Sequence, residues 1–74
     1  MTARELLAKN LRIIRAANKL TQQDLAEMAS MDRGFLVALE SANRRASVDT
    51  LDKLSQALGI APHELLLPRD ATAR

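Results

Sequence analysis

Few side chains of this 74-residue chain are of the types that perform catalysis or bind metal ions. Cysteine is absent and His63 is the single histidine, so the sequence provides no thiolate zinc site, no disulfide and no two-histidine metal site. Ser47 and Ser55 are explained as a helix cap and a helix-surface residue, and neither is arranged with a histidine base for nucleophilic catalysis. We therefore expect no enzymatic activity, no bound metal and no cofactor.

Arginine and amide side chains are the remaining candidates for a functional role, because they bind anions and hydrogen-bonding surfaces. Asn43, Arg44 and Arg45 occur in a stretch without apolar periodicity, which predicts a basic loop. Residues 1–45 hold eight basic and five acidic side chains, a net charge of +3, whereas residues 46–74 hold three and four, a net charge of −1. This distribution is compatible with a polyanionic partner, and equally with an ordinary solvated surface.

Helices are the elements predicted to position these residues. The chain is 47% hydrophobic but has one aromatic residue, Phe35, so its core must be assembled from aliphatic side chains. A first helix, ending near Asn18, is indicated by an apolar stripe with a period of about 3.6 residues: Leu6, Leu7, Leu11, Ile14 and Ala17.

Polar residues before the next apolar groups predict where two further helices begin. Thr21, with Asp24 three residues later, resembles a capping box and opens a short second helix. Asp32 is of a type that caps helices through its side chain, and we expect it to begin a third helix from Arg33 to about Ala42.

Two more helices are predicted after the basic loop. Ser47 caps a fourth helix, and Gly59 stands where a left-handed residue commonly ends one. Pro62 suits the first position of a short fifth helix that continues to Leu67, and Pro68 stops it.

These elements predict one all-α domain over residues 1–67 and a flexible tail over 68–74. The chain begins without the basic and apolar segments of a signal peptide, and no stretch approaches the about 20 apolar residues of a membrane span. We therefore expect a cytoplasmic protein without a membrane partner.

A tight turn between the second and third of five helices is the layout of a helix-turn-helix unit. Residues 11–67 resemble the lambda repressor and Cro-like, or xenobiotic-response-element, family of bacterial and phage regulators. The resemblance depends on three segments in this order and spacing: TQQDLAEMA at 21–29, RGFLVALE at 33–40 and SVDTLDKLSQALGI at 47–60. It implies a compact five-helix domain that binds double-stranded DNA in a sequence-specific manner and regulates transcription as a repressor or controller.

The resemblance implies that the third helix enters the major groove, where its first turns contact base edges. The corresponding residues are Arg33, Gly34, Phe35, Val37 and Ala38. Arg33 is suited to guanine, the apolar residues are suited to thymine methyl groups, and Gly34 would allow close approach of the backbone. An aromatic residue at Phe35 beside a basic residue at Arg33 is similar to some restriction–modification controller proteins.

Residues around this helix are implied to contact DNA phosphates: Thr21, Gln22, Gln23, Ser41, Asn43, Arg44 and Arg45. Gln22 falls at the start of the second helix, where its amide and the free N–H groups of the helix would meet a phosphate. An ordinary exposed position is the alternative for Gln22.

The resemblance also implies a structural ion pair between Arg15 on the first helix and Glu40 at the end of the third. Two solvated surface charges are the alternative. Ala26 corresponds to the position where the second and third helices cross, because a larger side chain would separate them.

A homodimer on a pseudo-palindromic operator is the expected assembly, since one such module offers a small contact surface. Candidate interface residues are Ile60, His63, Leu66 and Leu67; for Leu66, as for Leu65, packing in the core is the alternative. RNA polymerase or another regulator is a further possible partner, and no cofactor is implied.

A protein-interaction adaptor, or an antitoxin-like module, is the alternative function. Exposed Phe35, Val37 and Ala38 would form an apolar patch of the kind that marks interfaces. For Phe35, contact with DNA, with a protein and with the core all remain open.

Ser30 and the Ser41-Ala42 pair depart from the family pattern. Ser30 stands where glycine is common, and a left-handed backbone there would cost about 1 kcal/mol relative to glycine. Ser41 and Ala42 stand where many relatives have Asn-Gly, so the end of the third helix is uncertain from the sequence.

Overall fold

The structure is a computed structural model that describes residues 1–69. Its α-helices are α1 (Ala3–Ala17), α2 (Gln22–Met28), α3 (Arg33–Glu40) and α4 (Val48–Leu58), and a 3₁₀ helix follows at Pro62–Leu66. No β-strand occurs in this part of the chain. None of its helices is both long and apolar enough to cross a membrane.

The N-termini of three helices are closed by hydroxyl side chains. Thr2 and Thr21 accept hydrogen bonds from the backbone N–H groups of Glu5 and Asp24, at 3.1 and 2.9 Å, and each acidic side chain accepts from the threonine N–H in return. The pKa of Asp24 is lowered below its ordinary value, mainly by the hydrogen bond from the backbone N–H of Thr21 and next by that with the Thr21 side chain. Ser47 caps α4 in the same way, through the N–H of Thr50 at 3.0 Å.

The C-termini of all four α-helices share one geometry. Each is followed by a residue with a left-handed backbone: Lys19 (φ 58°), Ser30 (φ 56°), Ala42 (φ 62°) and Gly59 (φ 68°). The N–H of the next residue then donates to the carbonyl five residues earlier, as in a Schellman motif. Three helices thus end without the glycine that this conformation favours.

Leucines from all five elements fill the core, because each amphipathic helix turns its apolar stripe inward. The fully buried ones are Leu11, Leu25, Leu36, Leu39, Leu54 and Leu65. Ala26 is also fully buried, which agrees with a close approach of α2 to its neighbours.

Two polar side chains are fully buried, Asn10 of α1 and Ser55 of α4. The prediction that Ser55 lies on the helix surface is therefore wrong: its hydroxyl faces inward and donates to the carbonyl oxygen of Asp52 at 3.0 Å. Asn10 of α1 donates from its amide nitrogen to the carbonyl oxygens of Leu65 and Leu67, both at 2.8 Å. These bonds join α1 to the 3₁₀ helix and the residue after it, which are far from α1 in the sequence. Asn10 was not predicted from the sequence to have this role, because an asparagine beside an apolar stripe gives no sign of a partner 55 residues away.

Four further sequence predictions need correction. The fifth element is a 3₁₀ helix that ends at Leu66, since so short a segment favours the tighter i→i+3 turns. The third helix ends at Glu40 instead of Ala42, because Ala42 adopts the left-handed conformation. Asp32 precedes α3 but makes no side-chain capping hydrogen bond.

The fourth correction concerns Asn18, which is not left-handed; the left-handed residue is Lys19. Of the predicted flexible tail, residues 70–74 lie outside the described part of the chain. Arg69 lies within it and donates to the carbonyl oxygen of Glu64 at 2.9 Å.

Replacing Ala42 with glycine should raise the free energy of unfolding by about 1 kcal/mol, because glycine has no Cβ to oppose a left-handed backbone. For a domain of this size the melting temperature should rise by about 4–8 °C, as measured by circular dichroism. Gly59→Ala is the matched control and should lower it, since its added Cβ meets open space and only the φ of 68° opposes it. Equal melting temperatures for all three proteins would contradict this account of the helix ends.

Candidate nucleic-acid interface

The turn between α2 and α3 sets the relative positions of the two helices. It is short because the Schellman motif at Ser30 directs the chain back, with the N–H of Met31 donating to the carbonyl of Ala26 at 2.9 Å. Leu25 and Leu36 are buried on the inner faces of the two helices. The opposite face, at the start of α3, is thereby left toward solvent.

The first turn of α3 exposes one charged side chain and one residue without a side chain. Arg33 and Gly34 are exposed, whereas Phe35, Val37 and Ala38 are half-buried. A Cβ added at Gly34 would meet no atom within 4 Å, and its backbone is helical. Nothing in the packing of the domain therefore requires glycine at this position.

Phe35 lies at the edge of the core and supports a charged group on its outer side. Its ring packs against the buried cluster, and the guanidinium carbon of Arg44 lies 5.1 Å from the ring centroid. This distance is within the range of a cation–π contact. The pair borders an open groove of about 700 Å³ along the start of α3, which Asp32 and Gly34 also line.

The carboxylate of Glu40 is the centre of a polar network behind this face. Its side chain is 3% exposed and accepts from Arg15 at two points, from Nε at 2.8 Å and from Nη2 at 3.1 Å. The amide nitrogen of Gln22 donates to the same carboxylate at 3.0 Å. Arg12 donates to the backbone carbonyl of Glu40. The end of α3 is therefore bonded to both α1 and α2.

These bonds place the predicted residues at the start of α2 as follows. Gln22 is half-buried with one amide hydrogen committed to Glu40, and Thr21 is committed to the helix cap. Gln23 is exposed and donates to Glu27 at 2.9 Å. The bond between Gln22 and Glu40, and the contact of Arg12, were not predicted from the sequence.

The loop after α3 is held by its own polar groups. Ser41 donates its hydroxyl to the carbonyl of Val37 at 2.9 Å, and Asn43 donates its amide to the Ser41 oxygen at 3.2 Å. Arg44 and Arg45 are both exposed but take different directions. Arg44 lies over Phe35, whereas Arg45 lines a separate groove of about 260 Å³.

The predicted dimer residues lie at the other end of the domain. Leu66 and Leu67 are 38% and 42% exposed, and His63 is also exposed. Ile60 is half-buried and packs against the core. Two of the four therefore present apolar side chains to solvent.

Replacing Glu40 with alanine should lower the free energy of unfolding by about 3 kcal/mol, since it leaves Arg15 without its partner in a site that is largely buried. The melting temperature should fall by at least about 10 °C. Glu27→Ala is the matched control, because Glu27 is exposed and its loss should change stability little. A melting temperature for Glu40→Ala equal to that of the control would show that the pair does not support the fold.

Comparison with known proteins extends over most of the chain. A family model described as Helix-turn-helix matches residues 11–65. The chain is 34% identical over 65 residues to a hypothetical transcription factor of Neisseria meningitidis, an alignment that covers 88% of this chain and 61% of that protein. This chain therefore spans less than two thirds of the length of that relative.

Restriction–modification controller proteins are also similar to the chain. It is 35% identical over 66 residues to control protein C.SmaI of Serratia marcescens, with 89% of this chain and 79% of that protein covered. The crystal structure of controller protein C.AhdI from Aeromonas hydrophila matches the fold with a TM-score of 0.82 at 34% identity, covering 84% of this chain and 94% of that one. The matched model, these relatives and the arrangement of α2 and α3 agree: the chain belongs to the helix-turn-helix family of DNA-binding transcriptional regulators, in which controller proteins are found.

Proposed function

We propose that this protein binds a pseudo-palindromic operator in double-stranded DNA as a homodimer, with α3 in the major groove, and regulates transcription as a repressor or controller. The observation that supports this most is the first turn of α3, where Arg33 and Gly34 are exposed. Side chains at the start of α2 and in the loop after α3 flank it, as phosphate contacts flank a recognition helix.

Base contacts are assigned to the exposed face of α3. Arg33 has the fork of donors that bonds the O6 and N7 atoms of guanine. Gly34 leaves the helix backbone open to close approach by a base edge, since no side chain covers it. Phe35, Val37 and Ala38 are half-buried, so only their outer edges are offered to thymine methyl groups.

Phosphate contacts are assigned to the residues on either side of α3. At the start of α2 these are Thr21, Gln22 and Gln23, and after α3 they are Ser41, Asn43, Arg44 and Arg45. The bond to Glu40 leaves Gln22 one amide hydrogen for a phosphate and fixes its direction. The two arginines supply the charge on which most of the affinity depends.

The dimer is assigned to the C-terminal end of the described chain, through Ile60, His63, Leu66 and Leu67. A single module buries too little surface for tight binding, and two related half-sites about 34 Å apart match a two-fold dimer. The exposure of Leu66 and Leu67 supports this assignment. RNA polymerase or another regulator remains a proposed partner for the promoter-bound form.

The adaptor alternative has less support. It requires Phe35, Val37 and Ala38 to form an exposed apolar patch, but all three are half-buried and a cation lies over Phe35. The exposed large apolar side chains among residues 1–69 are elsewhere: Met1, Met28, Val48, Leu66 and Leu67.

Replacing Arg33 with alanine should reduce the preference for the selected operator over a scrambled duplex by about 5- to 150-fold, the equivalent of about 1–3 kcal/mol. Replacing Arg44 and Arg45 together should weaken binding to both duplexes. It should also flatten the plot of log K against log salt by about 0.9 for each phosphate that the variant no longer neutralises. Titrations by fluorescence anisotropy at several salt concentrations measure both quantities.

Lys53→Ala is the matched control for these titrations, because Lys53 is an exposed cation on α4 outside the proposed interface. It should leave preference and salt slope almost unchanged. If wild-type protein retains no duplex from a random pool at low salt, the proposed function is wrong. If Arg33→Ala and the double variant act alike on both duplexes, the division between base and phosphate contacts is wrong.

Replacing Leu67 with glutamate should convert the dimer to a monomer in sedimentation velocity, because a charge would be placed in an apolar contact. Binding to the full operator should fall, while binding to an isolated half-site should be retained. Val48→Glu is the control, since Val48 is 81% exposed and lies outside the proposed interface. Wild-type protein that sediments as a monomer at every accessible concentration, with and without DNA, would exclude the dimer.

A further inference from the structure

We propose that Phe35 is a positioning residue for Arg44: its ring holds the Arg44 guanidinium beside α3, so that this group meets a DNA phosphate already in place. The inference rests on the proposed function and deepens it. It replaces a direct base contact by Phe35 with an indirect contribution through its neighbour.

The ring of Phe35 is suited to this role because it is fixed. Phe35 is half-buried and packs against the buried cluster, and it lies within α3 between the exposed Gly34 and the buried Leu36. One side of the aromatic group therefore belongs to the core, while the other is free to support a ligand. Because the Phe35 ring is already packed against the core, it loses little side-chain freedom when the protein binds DNA.

Arg44 has few other means of being held. Its guanidinium makes no hydrogen bond and no ion pair within residues 1–69, even though Asp32 lines the same groove. The contact with the Phe35 ring, at 5.1 Å from the centroid, is the interaction that sets its position. An arginine that is otherwise free loses much side-chain entropy when it binds a phosphate, so positioning it beforehand strengthens the contact.

The backbone before Arg44 brings the guanidinium to the ring. Ala42 takes the left-handed conformation, and the N–H of Asn43 then donates to the carbonyl of Ala38 at 2.8 Å. The chain is thereby returned alongside α3, where Arg44 reaches Phe35. Stacking on an aromatic face leaves the guanidinium edge, with its N–H donors, open toward an anion.

Arg45 provides the internal comparison. It is the adjacent residue, has the same charge and is exposed, but it lines a different groove with Arg4, Leu51 and Leu66. Any effect of Phe35 that acts through Arg44 should therefore be absent from Arg45.

The test is a pair of double-mutant cycles in DNA binding, with the selected operator and a scrambled duplex as probes. Phe35→Leu keeps an apolar side chain but removes the aromatic face, and should weaken binding to both duplexes by a similar factor, about 2- to 5-fold. In the Arg44→Ala background the same change should have no further effect, whereas in the Arg45→Ala background its full effect should remain. Phe35→Tyr should bind like wild type, because tyrosine retains the aromatic face.

A second variant guards against a folding defect in Phe35→Leu, which its melting temperature would reveal. Arg44→Lys is a surface change that keeps the charge but stacks less well. It should preserve the salt slope of wild type while weakening both duplexes, and it should remove most of the difference between Phe35→Leu and Phe35→Tyr.

Two results would overturn the proposal. In the first, Phe35→Leu changes the preference between duplexes more than the affinity for both. In the second, its effect adds fully to that of Arg44→Ala; either result indicates direct contact between Phe35 and DNA. Failure of the proposed function is recognised separately, because wild-type protein would then bind neither duplex at low salt. The stack itself is measured without DNA, through the ring-current shifts of the Arg44 side-chain protons in the free protein.

Discussion

The buried carboxylate of Glu40 is the contact on which the position of α3 depends. An eight-residue helix with Leu36 and Leu39 on its inner face is held firmly against the core, but apolar contacts alone leave its tilt poorly specified. Glu40 restricts that tilt because its hydrogen bonds to Arg15 and Gln22 require defined directions. The residues proposed to meet DNA therefore take their positions from a group that lies behind them.

α1 has a supporting role at both ends of the molecule. It packs against α3 and against the 3₁₀ helix, and it provides Arg15 to the first and Asn10 to the second. Because Asn10 bonds the carbonyls of Leu65 and Leu67, it also sets the backbone from which the proposed dimer residues extend. The proposed DNA-binding and dimer surfaces thus share one helix as their common support, although neither is built on it.

Local signals in the sequence were sufficient to predict much of this fold. Thr21, Ser47 and Gly59 mark helix boundaries correctly because a cap depends on residues within one turn of it. The end of α3 was misplaced because Ala42 adopts a conformation that its residue type does not indicate. The Asn10 and Gln22 contacts join residues 55 and 18 positions apart, so no local pattern contains them. For Phe35 the sequence left three environments open, and the structure combines one of them, the core, with a neighbouring cation.

The distribution of glycine separates the needs of the fold from those of the surface. At Lys19, Ser30 and Ala42 the backbone is left-handed, and glycine there would relieve strain. At Gly34 the backbone is helical and a Cβ would meet open space, so the domain would gain stability from almost any other residue. Glycine is thus absent from three positions where it would stabilise the fold, and it is present at Gly34, where it does not stabilise the fold. Under the proposed function, the reason for Gly34 lies in what approaches α3 from outside: a base edge packed against the backbone beside Arg33 would use the space that a Cβ would otherwise take.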